Sequence, residues 1–140
     1  MFATRRQRGT MYNVSKLLGI DYGTKRVGVA VSDESGSVAF AKAVLPSDRT
    51  LIPTLTKLIA KENVVRVVVG ESKNKDGHDN AVMKHTHQFV ADLERSVTVP
   101  ISYEPEFYSS VEARRDSDDK FVDAKAAAII LNSFIERTKK

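Results

Sequence analysis

Residues 16–33 read KLLGIDYGTKRVGVAVSD. Residues 16–21 are a short apolar run that closes on an acid, Asp21. Residues 22–25 contain Gly23 and read as a turn. From Arg26 to Asp33 apolar residues alternate with small or polar ones and β-branched types are enriched, which marks a strand. Residues 34–37 are a second turn, and residues 38–45, VAFAKAVL, give a third strand. Three strands joined by two glycine-containing turns predict an antiparallel meander.

Beyond residue 45 the period changes. Leu51, Leu55, Leu58 and Ile59 recur at helical spacing within 50–63, with Ser47 or Asp48 as a plausible N-cap. Residues 64–70, VVRVVVG, form a near-continuous β-branched run, the pattern of a strand buried on both faces. A polar loop over 73–80 follows. Helical spacing returns over 81–95 through Val82, Phe89, Val90 and Leu93. A fifth strand is predicted over 99–103, a short helix over 109–115 and a final helix over 120–138. A meander followed by strand–helix alternation predicts an α/β domain. Its five-stranded mixed sheet has the order 3-2-1-4-5, with helices on both faces.

The 140 residues suit one domain. The net charge of +4 is carried by the start of the chain: Arg5, Arg6, Arg8 and Lys16 fall in the first sixteen residues, which hold no acid, and the remainder is formally neutral. Residues 1–15 therefore read as a separate basic arm, either a disordered tail or a contact for nucleic acid phosphates. Met11 offers a second start within it. Residues 16–140 are the predicted domain. No apolar run approaches the ~20 residues that span a bilayer, and the first fifteen residues lack the apolar stretch of a signal peptide. With no cysteine, disulfide scaffolds and thiolate zinc sites are excluded, and the expected compartment is the cytoplasm.

Four acids are candidates for chemistry. Asp21 closes a strand, where a carboxylate is a hard oxygen ligand for Mg²⁺ or Mn²⁺; the alternative is that it only starts a turn. Asp123 shares the core-facing stripe of the last helix with Ala127, Ile130 and Phe134. A carboxylate there must be paired, solvated by a cleft or metal-bound, unless it caps the helix together with Asp116, Asp118 and Asp119. Glu71 follows the fourth strand and Glu106 the fifth. The C-terminal ends of parallel strands are where ligands of open sheets bind, although either glutamate alone is an ordinary surface residue. His85 and His87, two apart on a helix, cannot form a helical metal pair. His78, in the polar loop, is either a phosphate contact or a solvated loop residue.

The run from Leu18 to Asp33 resembles the opening signature of the YqgF (RuvX) family of Holliday junction resolvases and ribosomal RNA precursor nucleases. Val68-Val69-Gly70 with Asn74, Asp76 and Gly77, then Ser109-Ser110-Val111-Glu112-Ala113, then Val122-Asp123-Ala124 with Ala126-Ala127-Ala128 and Ile130-Leu131, resemble later family segments in the same order. The resemblance implies a ribonuclease H-like fold and a metal-dependent phosphodiesterase site, with the family's acids falling on Asp21, Glu106 and Asp123. It implies RNA or branched DNA as partner, including ribosomal precursor particles. There are departures. The family's Asp-Glu-Arg triplet is Pro105-Glu106-Phe107 here, and its leucine-proline after the glycine is Glu71-Ser72. The segment between Ala113 and Asp123 is short and acidic.

The expectation is a Mg²⁺- or Mn²⁺-dependent nuclease in which Asp21 and Asp123 are joined by Glu71, Glu106 or both. Lys25, Lys73, Arg5, Arg6 and Arg8 would contact phosphates. Glu71, ending the strand next to strand one, is expected at least as close to Asp21 as Glu106 is. The alternative is a catalytically weak nucleic-acid-binding or ribosome-assembly module of the same fold, which the altered triplet favours.

Overall fold

A computed structural model describes residues 16–73, 81–107 and 121–138, without the side chains of Lys73, Glu106 and Phe107. The expectations for the basic arm, His78 and the short helix over 109–115 lie outside the described residues. The elements in chain order are β1 (Leu17–Tyr22), β2 (Arg26–Ser32), β3 (Ala39–Pro46), α1 (Leu51–Lys61), β4 (Arg66–Lys73), α2 (Met83–Glu94), β5 (Ile101–Phe107) and α3 (Val122–Thr138). The sheet order is β3-β2-β1-β4-β5. β1 pairs antiparallel with β2 and parallel with β4, and β5 extends the parallel half. This is the predicted architecture, with the meander at one side and crossovers at the other. No helix among the described residues is long and apolar enough to cross a membrane.

Strand pleating splits the sheet into two unlike faces. Leu18, Ile20, Val27, Val29, Val67 and Val69 point to one side and pack with Leu51, Leu55 and Ile59 of α1 and Phe89, Val90 and Leu93 of α2. Ala30, Ala39 and Val68 point to the other and pack with Ala127, Ile130, Leu131 and Ile135 of α3. Gly19 belongs to this second face: a Cβ on it would press on the Leu131 Cβ at 2.8 Å and the Ala127 carbonyl at 2.9 Å. The helix backbone rides close to the strands there, because small residues line both surfaces.

Local chemistry sets the ends of α1. Asn63 takes a left-handed φ of 57°, and Val64 N–H donates to the Ile59 carbonyl at 3.0 Å, a Schellman-type stop. At the start, the observed cap is Thr50, with no side-chain cap bond. Asp48 is not the N-cap: its carboxylate accepts from Thr50 N–H at 2.9 Å in a turn that precedes the helix. The Thr50 hydroxyl and amide together hold its carboxyl below the usual range.

Two strands run later than the sequence suggested. β4 continues past Gly70 to Lys73, and β5 continues to Phe107, because each supplies the other's ladder through Lys73 opposite Phe107. The polar residues Glu71-Ser72-Lys73 look like loop in sequence, yet two paired strand ends satisfy each other's backbone groups.

Candidate active site

Asp21 is the next-to-last residue of β1. Leu18 and Ile20 enter the α1/α2 layer, so alternation turns Gly19 and Asp21 toward α3. The antiparallel partner of Asp21 is Gly28. A Cβ on Gly28 would overlap the Asp123 carbonyl group and the Ala124 nitrogen. The first turn of α3 therefore rests on β2 directly beside Asp21. Antiparallel partners stand about 4.5–5.5 Å apart between Cα atoms, so one strand spacing separates Asp21 from the seat of Asp123.

Both aspartates are buried, with Asp21 5% and Asp123 4% exposed as whole residues. Buried negative charge needs compensation. The Arg26 Nε donates to Asp123 Oδ2 at 2.7 Å, and the amino end of α3 adds its dipole. A cleft of about 190 Å³ opens beside Asp123, lined by Gly23, Thr24, Lys25, Arg26 and Asp123. Lys25 is exposed at its wall.

The two glutamates part company. Glu71 continues the series Val67, Val69, Glu71, and both valines pack into the α1/α2 layer. Alternation therefore carries Glu71 to the face opposite Asp21; the expectation that it is at least as close to Asp21 as Glu106 is falls outside the described residues, since the Glu106 side chain is not among them. The expectation places Glu71 at the end of the strand; β4 continues to Lys73, and a strand fixes which side each residue takes. The backbone of Glu106 stands opposite Ser72, two residues beyond Glu104 on β5; its side chain lies outside the described set, as does that of Lys73. Among the described residues, no three histidine or acidic side chains are grouped so as to hold a metal. Asp21 and Asp123 remain as two buried oxygen donors on one face, chemistry that fits a hard divalent cation.

The two described histidines, His85 and His87, serve elsewhere. His87 Nδ1 lies 2.9 Å from the Tyr103 hydroxyl, across the α2–β5 contact. His85 lines a separate groove with Tyr22, Asp48 and Gln88.

Sequence reading passed over two residues. Arg26 stands in the strand pattern and in the family-like opening run, neither of which assigns it a role. Glu104 was not singled out, yet it is 3% exposed; its Oε1 accepts from Arg137 Nε at 2.9 Å and Nη2 at 2.6 Å, and its Oε2 from the Ser133 hydroxyl at 2.9 Å. The available signal was Ser133 and Arg137, four apart on one helix face.

The family model for RuvX, described as Holliday junction resolvase, matches residues 15–137. The chain belongs to this family. Its RuvX relatives include a protein of Nitratidesulfovibrio vulgaris, 38% identical over an alignment of 131 positions that covers 86% of this chain and 92% of the relative. Another, from Phocaeicola vulgatus, is 32% identical over 90% of this chain and 99% of its own. Both are named as candidate pre-16S rRNA nucleases. Among solved structures, Thermus thermophilus RuvC in complex with a Holliday junction substrate matches with a TM-score of 0.56 at 13% identity, covering 89% of this chain and 96% of that one. The fowlpox virus resolvase, in complex with Holliday junction DNA, matches with a TM-score of 0.52 at 11% identity, covering 89% and 99%. At these identities the likeness establishes the fold, which is ribonuclease H-like. The RuvX assignment makes the chain a hydrolase of phosphodiester bonds.

Proposed function

We propose that the chain is a divalent-metal-dependent nuclease that cuts structured nucleic acid, with the precursor of small-subunit ribosomal RNA as its substrate. The observation that carries the reading is the seating of Asp123 on Gly28, beside Asp21, which gathers two buried carboxylates at the end of β1. The names of the sequence relatives favour the RNA. Asp21 and Asp123 would hold Mg²⁺ or Mn²⁺, with Glu106 as a third ligand and Glu71 outside the site. When bound, such an ion supplies Lewis-acid stabilisation of the charge that develops on phosphoryl oxygens.

The chain's own groups do the rest. Burial of Asp21 and Asp123 limits competing water. Lys25, at the cleft wall, would contact a phosphate next to the scissile one; Lys73, Arg5, Arg6 and Arg8 would contact other backbone phosphates, positioning the substrate without reading its sequence. Ribosomal precursor particles in the cytoplasm are the setting this substrate implies.

A second reading, resolution of four-way DNA junctions, is favoured by the family description and by the fold shared with two junction resolvases. The test is cleavage of a precursor RNA spanning the 5′ end of the mature small-subunit RNA and of a four-way DNA junction, each with Mg²⁺, with Mn²⁺ and with chelator. Metal-dependent cutting of the RNA that disappears in Asp21→Asn is the expected result. Cutting of the junction alone would select the second reading. Binding of either substrate without turnover would leave a binding module of the same fold.

A further inference from the structure

The pairing of β2 places a second residue at Asp123. Arg26 lies two residues before Gly28, so both belong to the α3 face of β2. Gly28 has no side chain and lets the first turn of α3 settle on the strand; Arg26 reaches up beside that turn, and its Nε donates to Asp123 Oδ2 at 2.7 Å. The pair is asymmetric: the Arg26 side chain is 53% exposed and the Asp123 side chain 5%. Solvent keeps the cation cheap to hold in place, while the buried anion receives a fixed donor. A charge-assisted bond from a side chain anchored on a central strand constrains the direction in which the carboxylate points.

We infer that Arg26 is the positioning residue for Asp123: it orients the carboxylate for a divalent cation and does not itself bind nucleic acid. The inference rests on the nuclease reading. A ligating carboxylate that is itself hydrogen-bonded binds its metal better, and loss of such a support costs about 10–100-fold in metal affinity. The 2.7 Å bond is made by Nε, and a lysine ammonium at the same place can supply a donor to the same oxygen.

The experiment measures Mn²⁺ binding by the electron paramagnetic resonance signal of free Mn²⁺, on wild type, Arg26→Gln and Arg26→Lys. It is joined by steady-state cleavage and by the Nε–H resonance of Arg26 in metal-free protein. Arg26→Gln is expected to weaken Mn²⁺ binding about 10–100-fold, to leave KM for the nucleic acid unchanged, and to regain most of its kcat at high Mn²⁺. Arg26→Lys should recover most of the affinity. The Nε–H resonance should be protected from exchange in wild type and lose that protection in Asp123→Asn. Unchanged or tighter Mn²⁺ binding in Arg26→Gln overturns the inference, since Arg26 is then a bystander or a competing counter-ion. So does a raised KM with intact Mn²⁺ affinity, which would make it a phosphate contact, and so does an unprotected Nε–H. Wild type that binds no Mn²⁺ removes the nuclease reading itself, a result distinct from wild-type binding that Arg26→Gln fails to alter. Arg26→Gln that fails to fold leaves the decision to Arg26→Lys and the resonance.

Discussion

The two faces of the sheet are built on opposite packing rules. The α1/α2 face is filled with volume: Leu55, Leu93, Val67 and Val69 are fully or almost fully buried, and large branched side chains separate helix from strand. The α3 face is built from missing volume: Gly19 and Gly28 of the strands meet the backbone of α3, and Ala124, Ala126 and Ala127 on the helix are fully buried. A volume-filled interface can yield by repacking. A backbone-on-backbone interface has no side chain to rotate away. The candidate site lies on the second kind, so the position of Asp123 is set by steric limits on the main chain as well as by its own partner.

The comparison breaks most readily at Gly28. Gly28→Ala is expected to abolish cleavage, because the added methyl displaces the start of α3 and with it Asp123. It should also cost about 1–3 kcal/mol or more from overpacking, checked by cleavage and thermal melting in parallel. Wild-type cleavage in Gly28→Ala would show that the α3 face yields as easily as the other.

Leu55→Ala tests the filled face. A cavity there should cost ~2–5 kcal/mol in urea unfolding while cleavage per folded molecule at low temperature is retained. Loss of activity without loss of stability would mean that the two faces do not divide stability and chemistry in this way.

Glu104→Gln sharpens the picture of the α3 face away from the site. Removing the charge weakens the bonds from Arg137 and Ser133 and should cost about 1–3 kcal/mol. Arg137, half exposed, can recover its hydration. Cleavage should fall less than in Gly28→Ala, because Ser133 and Arg137 lie more than two turns along α3 from Asp123.

The smallest effect belongs to the rim of the α1/α2 face, where Lys16 and Lys42 reach Glu62 at 2.8 and 3.3 Å. The hydrogen bond from Lys16, then that from Lys42, holds the Glu62 carboxyl below its usual range. A lowered folded pKa means that this stabilisation is present above the unfolded value and is lost as pH falls through the folded one. The melting temperature of wild type should therefore exceed that of Glu62→Gln at neutral pH, and the gap should close below about pH 4. A gap independent of pH would assign the effect to packing.

Much of this was legible in the chain. Alternation through Val27, Val29 and Val31 gave β2 and its buried side, and β-branched density gave β4. The stripe through Asp123, Ala127 and Ile130 marked a carboxylate that had to face the sheet. Boundaries were less legible where polarity and pairing disagree. Glu71-Ser72-Lys73 has the composition of a loop, but β5 provides a ladder for it, and that extension alone decides the side on which Glu71 lies.

By itself, the sequence determined the periods, and with them the elements, their order and the faces that must be buried, because those follow from residues near one another along the chain. It also determined that Asp21 lies at the end region of a strand, one residue before Tyr22 closes it, and that Asp123 cannot simply face water. Only the tertiary structure decided who stands beside whom. Arg26 and Asp123 are 97 residues apart, and nothing local announces their bond. It exists because β2 pairs with β1 in the register that sets Gly28 against Asp21, and because a glycine at that one point leaves room for a helix from the far end of the chain to come down onto it.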